Sequence, residues 1–135
     1  METQIAKTSS IPKKILSRKD EITADFLKLA DQHMADLMAG RALKRYHAKN
    51  FAEKLFIHPR HLTNTLYLTL KTSPCEVMEE RIIEASQTLL RETSLSIAEI
   101  GQRFAYDEPT NFTKFFKSMA GITPLQYRKS VKSNI

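Results

Sequence analysis

Residues Phe51 to Leu66 and Ile100 to Phe116 carry the same pattern: a short amphipathic helix with a small residue inside it, a tight turn, and a second helix with one apolar and one polar face. Phe51 aligns with Ile100, Ala52 with Gly101, Leu55 with Phe104 and Ile57 with Tyr106 at an offset of 49, then Leu62 with Phe112 and Leu66 with Phe116 at 50. One residue is inserted between the two halves of the unit. The two helices of such a unit cross closely near the turn, so a bulky side chain there would push them apart. Ala52 and Gly101 fill that position. The repeat is a doubled helix-turn-helix, and it confines the chain to an all-α architecture.

Capping signals divide the rest into helices. Asn50 with Glu53, Ser73 with Glu76, Ser96 with Glu99 and Thr123 with Gln126 have the spacing of a capping box, or near it for Asn50. Pro59, Pro74, Pro109 and Pro124 fall in predicted first turns, where a missing N–H costs nothing. Apolar residues recur helically at Ile22, Phe26, Leu29, His33 and Leu37, with Gly40 as a left-handed stop. About seven helices and no convincing strand result. The expected organisation is a flexible lead-in over 1–21, a first helix-turn-helix subdomain over 22–72, a linker helix over 73–92 and a second subdomain over 93–135. The linker stripe is read as Val77 or Met78, Ile82, Ala85 and Leu89. Some seventeen residues at about 1.5 Å each give the linker roughly 25 Å, enough with half a unit at each end to space two helices about one DNA turn apart.

The net charge of +6 is unevenly spread. Residues 41–73 hold seven basic side chains against Glu53 alone, residues 74–95 hold five acidic against two basic, and residues 96–135 are again basic. Positive charge on the repeats with an acidic stretch between them suits a polyanion gripped by the repeats. The lead-in, with Lys13, Lys14, Arg18 and Lys19, reads either as a basic arm reaching phosphates or as a solvated tail. A single cysteine, Cys75, permits no internal disulfide and anchors no zinc cluster, and His33, His47, His58 and His61 lack metal-ligand spacing, so neither metal nor cofactor is expected. Apolar runs are too short to span a membrane and the opening METQIAKTSS lacks the order of a secretory signal, which predicts a cytoplasmic chain. Three glycines and no nucleophile motif argue against an enzyme.

The second helix of each repeat carries the candidate readers. Around the inward Leu62, Leu66 and Leu70, the outward stripe of the first is Arg60, Thr63, Asn64 and Tyr67 at i, i+3, i+4 and i+7. Arg pairs bidentately with guanine and Asn with adenine, Thr reaches a base edge or a thymine methyl, and Tyr reaches a phosphate or sugar. A solvated helix face would look similar. In the second copy Phe112, Phe115, Phe116 and Met119 form the expected buried side, read as core rather than as a ligand or partner groove. Thr110, Asn111 and Lys114 lie early in that helix, where base edges are met, and Thr113 and Lys117 suit phosphates. Arg45, Lys49 and Lys71 complete the expected phosphate contacts, and His61 reads as DNA-facing or simply as a surface residue.

The segment SIAEIGQRFAYDEPTNFTKFFKSMAGITPLQYR, Ser96 to Arg128, resembles the DNA-binding domain of AraC/XylS-type transcriptional regulators, with Gly121, Pro124, Tyr127 and Arg128 closing the motif. FAEKLFIHPRHLTNTL, Phe51 to Leu66, resembles the first unit of that domain, and RIIEASQTLL, Arg81 to Leu90, resembles its linker helix. The resemblance covers roughly Phe26 to Lys129 and implies Arg60, Thr63 and Asn64 in one major groove and Thr110, Asn111 and Lys114 in the next. This chain departs from it where glycines are common: both turns have Phe56 and Ala105, and Lys71 follows the first reader. Members commonly carry an effector-binding and dimerisation domain ahead of the unit, and this sequence contains none.

The expected function is a sequence-specific regulator that binds double-stranded DNA as a monomer. Two rivals remain: a helical protein-interaction module docking on a partner such as RNA polymerase, signalled by exposed apolar residues like Tyr67 and Leu68 at reader positions, and a DNA-binding fragment of a longer effector-sensing regulator. The initial Met weighs mildly against the second rival.

Overall fold

A computed structural model describes residues 17–133. Among them are seven α-helices and no strand: α1 Arg18–Met38, α2 Ala48–Leu55, α3 Pro59–Thr69, α4 Pro74–Glu92, α5 Ile97–Arg103, α6 Pro109–Ala120 and α7 Pro124–Ser133. The repeat is visible in the boundaries, since α2 and α5 start 49 residues apart and α3 and α6 start 50 apart.

Two boundaries differ from expectation. Helix α1 begins at Arg18, not Ile22, because the Ser17 hydroxyl accepts the Asp20 N–H, so residues 18–21 are helical, while 1–16 of the expected lead-in lie outside the described residues. Helix α2 begins before Asn50. His47 is its N-cap, and Asn50 serves as the third helical residue, its Oδ1 accepting the His47 N–H at 2.8 Å. The other caps form as expected. Ser73 and Glu76 exchange bonds at 3.0 and 3.2 Å, Ser96 and Glu99 at 2.8 and 3.0 Å, and Thr123 and Gln126 at 2.9 and 3.1 Å. All four prolines open their helices.

The buried side chains form two clusters. Ile22, Phe26, Leu37, Phe51, Leu62 and Leu66 anchor the first, and Ile82, Leu90, Ile100, Phe104, Phe112 and Phe116 anchor the second. Helix α4 belongs to both, giving Val77 and Met78 to the first and Ile82 and Leu90 to the second. Its buried stripe turns slightly from the expected one: Ser86 and Leu90 are buried, while Ala85 and Leu89 are half-buried. At 19 residues α4 is about 28 Å long. Helix α1 also reaches both clusters, because Met34 and Met38 near its C-terminus pack on the second. It is braced against α4 by Arg81, whose guanidinium meets Asp31 at 2.9 Å. Helix α7 is fixed by Arg128, which donates to the carbonyls of Leu90, Leu95 and Thr93, and by Tyr127, which packs on Phe116 and accepts from Arg91.

Candidate nucleic-acid interface

In the first unit, burial of Phe51, Ala52, Leu62 and Leu66 turns the opposite side of α3 outward. The His58 Nδ1 caps that helix by accepting the Arg60 N–H at 3.1 Å. Arg60, Asn64 and Tyr67 are exposed and Thr63 is half-buried, so the stripe i, i+3, i+4, i+7 exists as one face. The inner side is tied to α1 by Thr69, whose hydroxyl lies 2.7 Å from that of Thr23. Leu70 is half-buried rather than fully inward. Lys49 and Lys71 are exposed at the two ends of the unit.

In the second unit, Gly101 proves the close crossing. A Cβ built on it would lie 3.0 Å from the Phe112 Cβ and 3.1 Å from its Cγ, closer than side chains normally approach. Phe112 and Phe116 are fully buried, as expected, but Phe115 is only half-buried and Met119 is 39% exposed. Phe115 instead stacks on Tyr106 of the turn, 5.5 Å between ring centres, which leaves Met119 one step beyond the core. Thr110, Asn111, Lys114 and Lys117 are exposed and Thr113 is half-buried. Neither α3 nor α6 contains a carboxylate. Among the described residues, the side chains of Arg60, Asn64, Thr110, Asn111, Lys114 and Lys117 make no hydrogen bond or ion pair within the chain, leaving their donors and acceptors available. At the entry to α5, the Ser96 N–H and hydroxyl hold the Glu99 carboxyl below its ordinary range.

One expected phosphate contact, Arg45, has partners within the protein. Arg45 is half-buried, its Nη1 donates to the carbonyls of Phe104 and Ala105, and its guanidinium stacks over Tyr106. Sequence spacing gave no sign of this, because the partners lie some sixty residues away. The three glycine-replacing residues adopt glycine's conformation nonetheless: Phe56, Lys71 and Ala105 have φ of 59°, 61° and 66°. Both turns therefore accommodate left-handed backbone at a non-glycine residue rather than avoiding it. Phe56 is left 94% exposed, and Tyr67 and Leu68 are 50% and 65% exposed.

A helix-turn-helix domain family of the AraC type matches residues 51–130, more than half of the chain and both units. The chain belongs to the AraC-type helix-turn-helix family. As an AraC-type unit it is a DNA-binding domain. Its fold is similar to the C-terminal domain of AraT, a response regulator from Geobacillus stearothermophilus, with a TM-score of 0.73, 26% identity, and coverage of 84% of this chain and 88% of that one. It also shares the fold of the DNA-binding domain of AdpA, a global transcriptional factor solved in complex with a target DNA, at a TM-score of 0.70 and 14% identity over 82% of this chain and 95% of that one. In sequence it is 25% identical over 87 residues to the HTH-type transcriptional regulator YisR of Bacillus subtilis, covering 64% of this chain and 30% of YisR. It is 23% identical over 106 residues to the arabinose operon regulatory protein of Escherichia coli, covering 78% of this chain and 35% of that protein. The AraC-type chain described here thus spans about a third of the length of these relatives. Among the described residues no helix is long and apolar enough to cross a membrane.

Proposed function

We propose that this domain controls transcription by reading two adjacent major grooves of double-stranded DNA as a monomer, with α3 in one groove and α6 in the next. The observation that carries the reading is the doubled polar stripe: each unit buries one side of its second helix in a core and leaves the carboxylate-free side, with unpartnered Arg60 and Asn64 or Asn111 and Lys114, in solvent. Arg60, Thr63 and Asn64 are the base contacts of the first unit, and Thr110, Asn111 and Lys114 those of the second. Lys49, Tyr67, Lys71, Thr113 and Lys117 are the phosphate contacts, and Arg45 is withdrawn from that set. The relative AdpA, in complex with a target DNA, supports the same use here. Action is by binding and not catalysis, and its compartment is the cytoplasm.

A second reading is favoured by the exposed Phe56, Tyr67 and Leu68: the first unit docks on a protein such as RNA polymerase while the second alone reads DNA. Selection of bound sequences from a random duplex pool, repeated at two salt concentrations, separates the two. Two short boxes about ten base pairs apart support dual reading, and a single box supports the second. Binding that does not weaken with salt refutes phosphate neutralisation by the lysines of either reading.

A further inference from the structure

The two units are joined by more than α4. Arg45 lies in the segment before α2, yet its Nη1 donates to the carbonyl oxygens of Phe104 at 3.1 Å and Ala105 at 2.8 Å, and its guanidinium carbon sits 3.8 Å from the centre of the Tyr106 ring. Residues 104–106 begin the turn between α5 and α6, and that turn sets the direction in which α6 leaves. Ala105 itself packs against the core of the first subdomain. In the return direction, Arg103 at the end of α5 donates to the carbonyl of Met38 at 3.2 Å, at the C-terminus of α1. Each subdomain lends an arginine to the main chain of the other. A planar guanidinium that is hydrogen-bonded in its plane and stacked on its face is fixed in both position and orientation, which a lysine ammonium cannot reproduce.

We propose that Arg45 is a positioning residue for DNA recognition: it pins the turn of the second helix-turn-helix to the first subdomain and so sets the spacing between the two boxes that the domain reads. The proposal rests on the dual-groove reading. Binding by the second unit gains from the first only when the joint holds both at the separation of the boxes, and a looser joint spreads that gain over several spacings and lowers it at each.

The test uses duplexes carrying the selected boxes at separations changed one base pair at a time, and duplexes carrying either box alone, titrated with the wild-type chain, Arg45→Ala and Arg45→Lys. The wild-type chain is expected to favour one separation by about tenfold or more over a single box. Both variants are expected to bind single boxes within about twofold of wild type, to lose most of the two-box gain and to accept neighbouring separations almost equally. If Arg45 instead neutralised a phosphate, Arg45→Ala would weaken every duplex alike, its salt slope would fall by about one, and Arg45→Lys would restore binding, which overturns the proposal. An unchanged separation profile in both variants overturns it as well. Should Arg45→Ala lose its helical circular dichroism, Tyr106→Leu, which removes the stack, takes its place in the comparison. A wild-type chain that gains nothing from a second box at any separation refutes the dual-groove reading and the proposal with it. A wild-type gain with unaltered variants refutes only the role of Arg45.

Discussion

In the first helix-turn-helix the aromatic packing comes from outside the unit: Phe51 meets Phe26 and His33 of α1 at 5.0 and 6.1 Å and Tyr46 of the preceding segment at 5.4 Å. In the second it comes from within and just beyond, through Tyr106, Phe112, Phe115, Phe116 and Tyr127. The turns differ in the same way. Phe56 holds its left-handed backbone with its side chain in solvent, whereas Ala105 holds the same conformation half-buried beneath the first subdomain, with Arg45 on its carbonyl. The repeat preserves backbone geometry and leaves its means of support free to diverge. The first unit leans on α1, and the second unit carries its own aromatic core but takes its placement from Arg45.

Substitutions at the two helix crossings test that contrast most severely. Gly101→Leu forces a branched side chain against the Phe112 Cβ, which a Gly101 Cβ alone would already meet at 3.0 Å, and should cost about 3 kcal/mol. The matching Ala52→Gly, which only removes a buried methyl and loosens a helix, should cost roughly 1–2 kcal/mol. Urea midpoints measure both, and a tolerated Gly101→Leu would show that the second crossing is not close. Next in size are the readers. Asn111→Ala should weaken the preferred second box by about 1–3 kcal/mol and relax base preference there, and Asn64→Ala should do so at the first box. Lys117→Ala should weaken all sequences alike and reduce the salt slope by about one. If Asn64→Ala leaves base preference untouched while Asn111→Ala does not, the first unit is the one that docks elsewhere.

The element order was legible because it rests on local signals. Ser73, Ser96 and Thr123 cap where their partners three residues on predict, and the four prolines start helices as a missing N–H requires. The exposed stripes were legible too, since burying Leu62 and Leu66 or Phe112 and Phe116 leaves one outward face by helix geometry alone. What escaped was long-range. A basic residue on a basic segment reads as a phosphate anchor, and nothing near Arg45 in sequence reveals that carbonyls sixty residues on take its guanidinium. One local signal misleads as well: Asn50 reads as a cap but is the third residue of the helix that His47 opens, because histidine is a weak capping signal by type. The sharing of α1 between both cores was hidden as well, since Met34 and Met38 fall off the stripe that Ile22, Phe26 and Leu37 define.

The turns offer a smaller effect of opposite sign. Phe56→Gly removes the left-handed cost and an exposed aromatic, and should raise stability by about 1 kcal/mol with DNA binding unchanged if the first turn makes no contact. Ala105→Gly relieves the same backbone but gives up a methyl packed on the first core, worth about 0.8 kcal/mol, so it should be close to neutral. Thermal midpoints of the two variants compare the turns directly. A Phe56→Gly chain that binds DNA or a protein partner less well would mark Phe56 as a contact residue.

The finest distinction between the units is their response to acid. His33 is buried on α1, its Nε2 accepts the Tyr46 N–H at 2.9 Å, and its ring stacks on Tyr46 at 3.8 Å. Burial pushes its pKa below the ordinary 6.5, with Asp36 opposing and Lys54 adding to the shift. The folded state thus holds a neutral imidazole while the unfolded chain takes up a proton below about pH 6.5, so stability is complete above that value and declines as pH falls through it. Protonation would also place a donor where the Tyr46 N–H needs an acceptor. Carboxyls held low, such as Asp36 and Glu99, begin to lose their contribution only as pH falls below their ordinary 3.8 and 4.5, beneath the interval from about 6.5 to 5 in which His33 acts. Because His33 packs on Phe51, the loss belongs to the first unit: amide exchange in α2 should accelerate over that interval while α5 stays protected. His33→Phe, which keeps a ring but no titrating group, should lower stability and flatten the slope. A slope that persists in His33→Phe would place the acid-sensitive group elsewhere, and equal acceleration in α2 and α5 would mean the two units open as one.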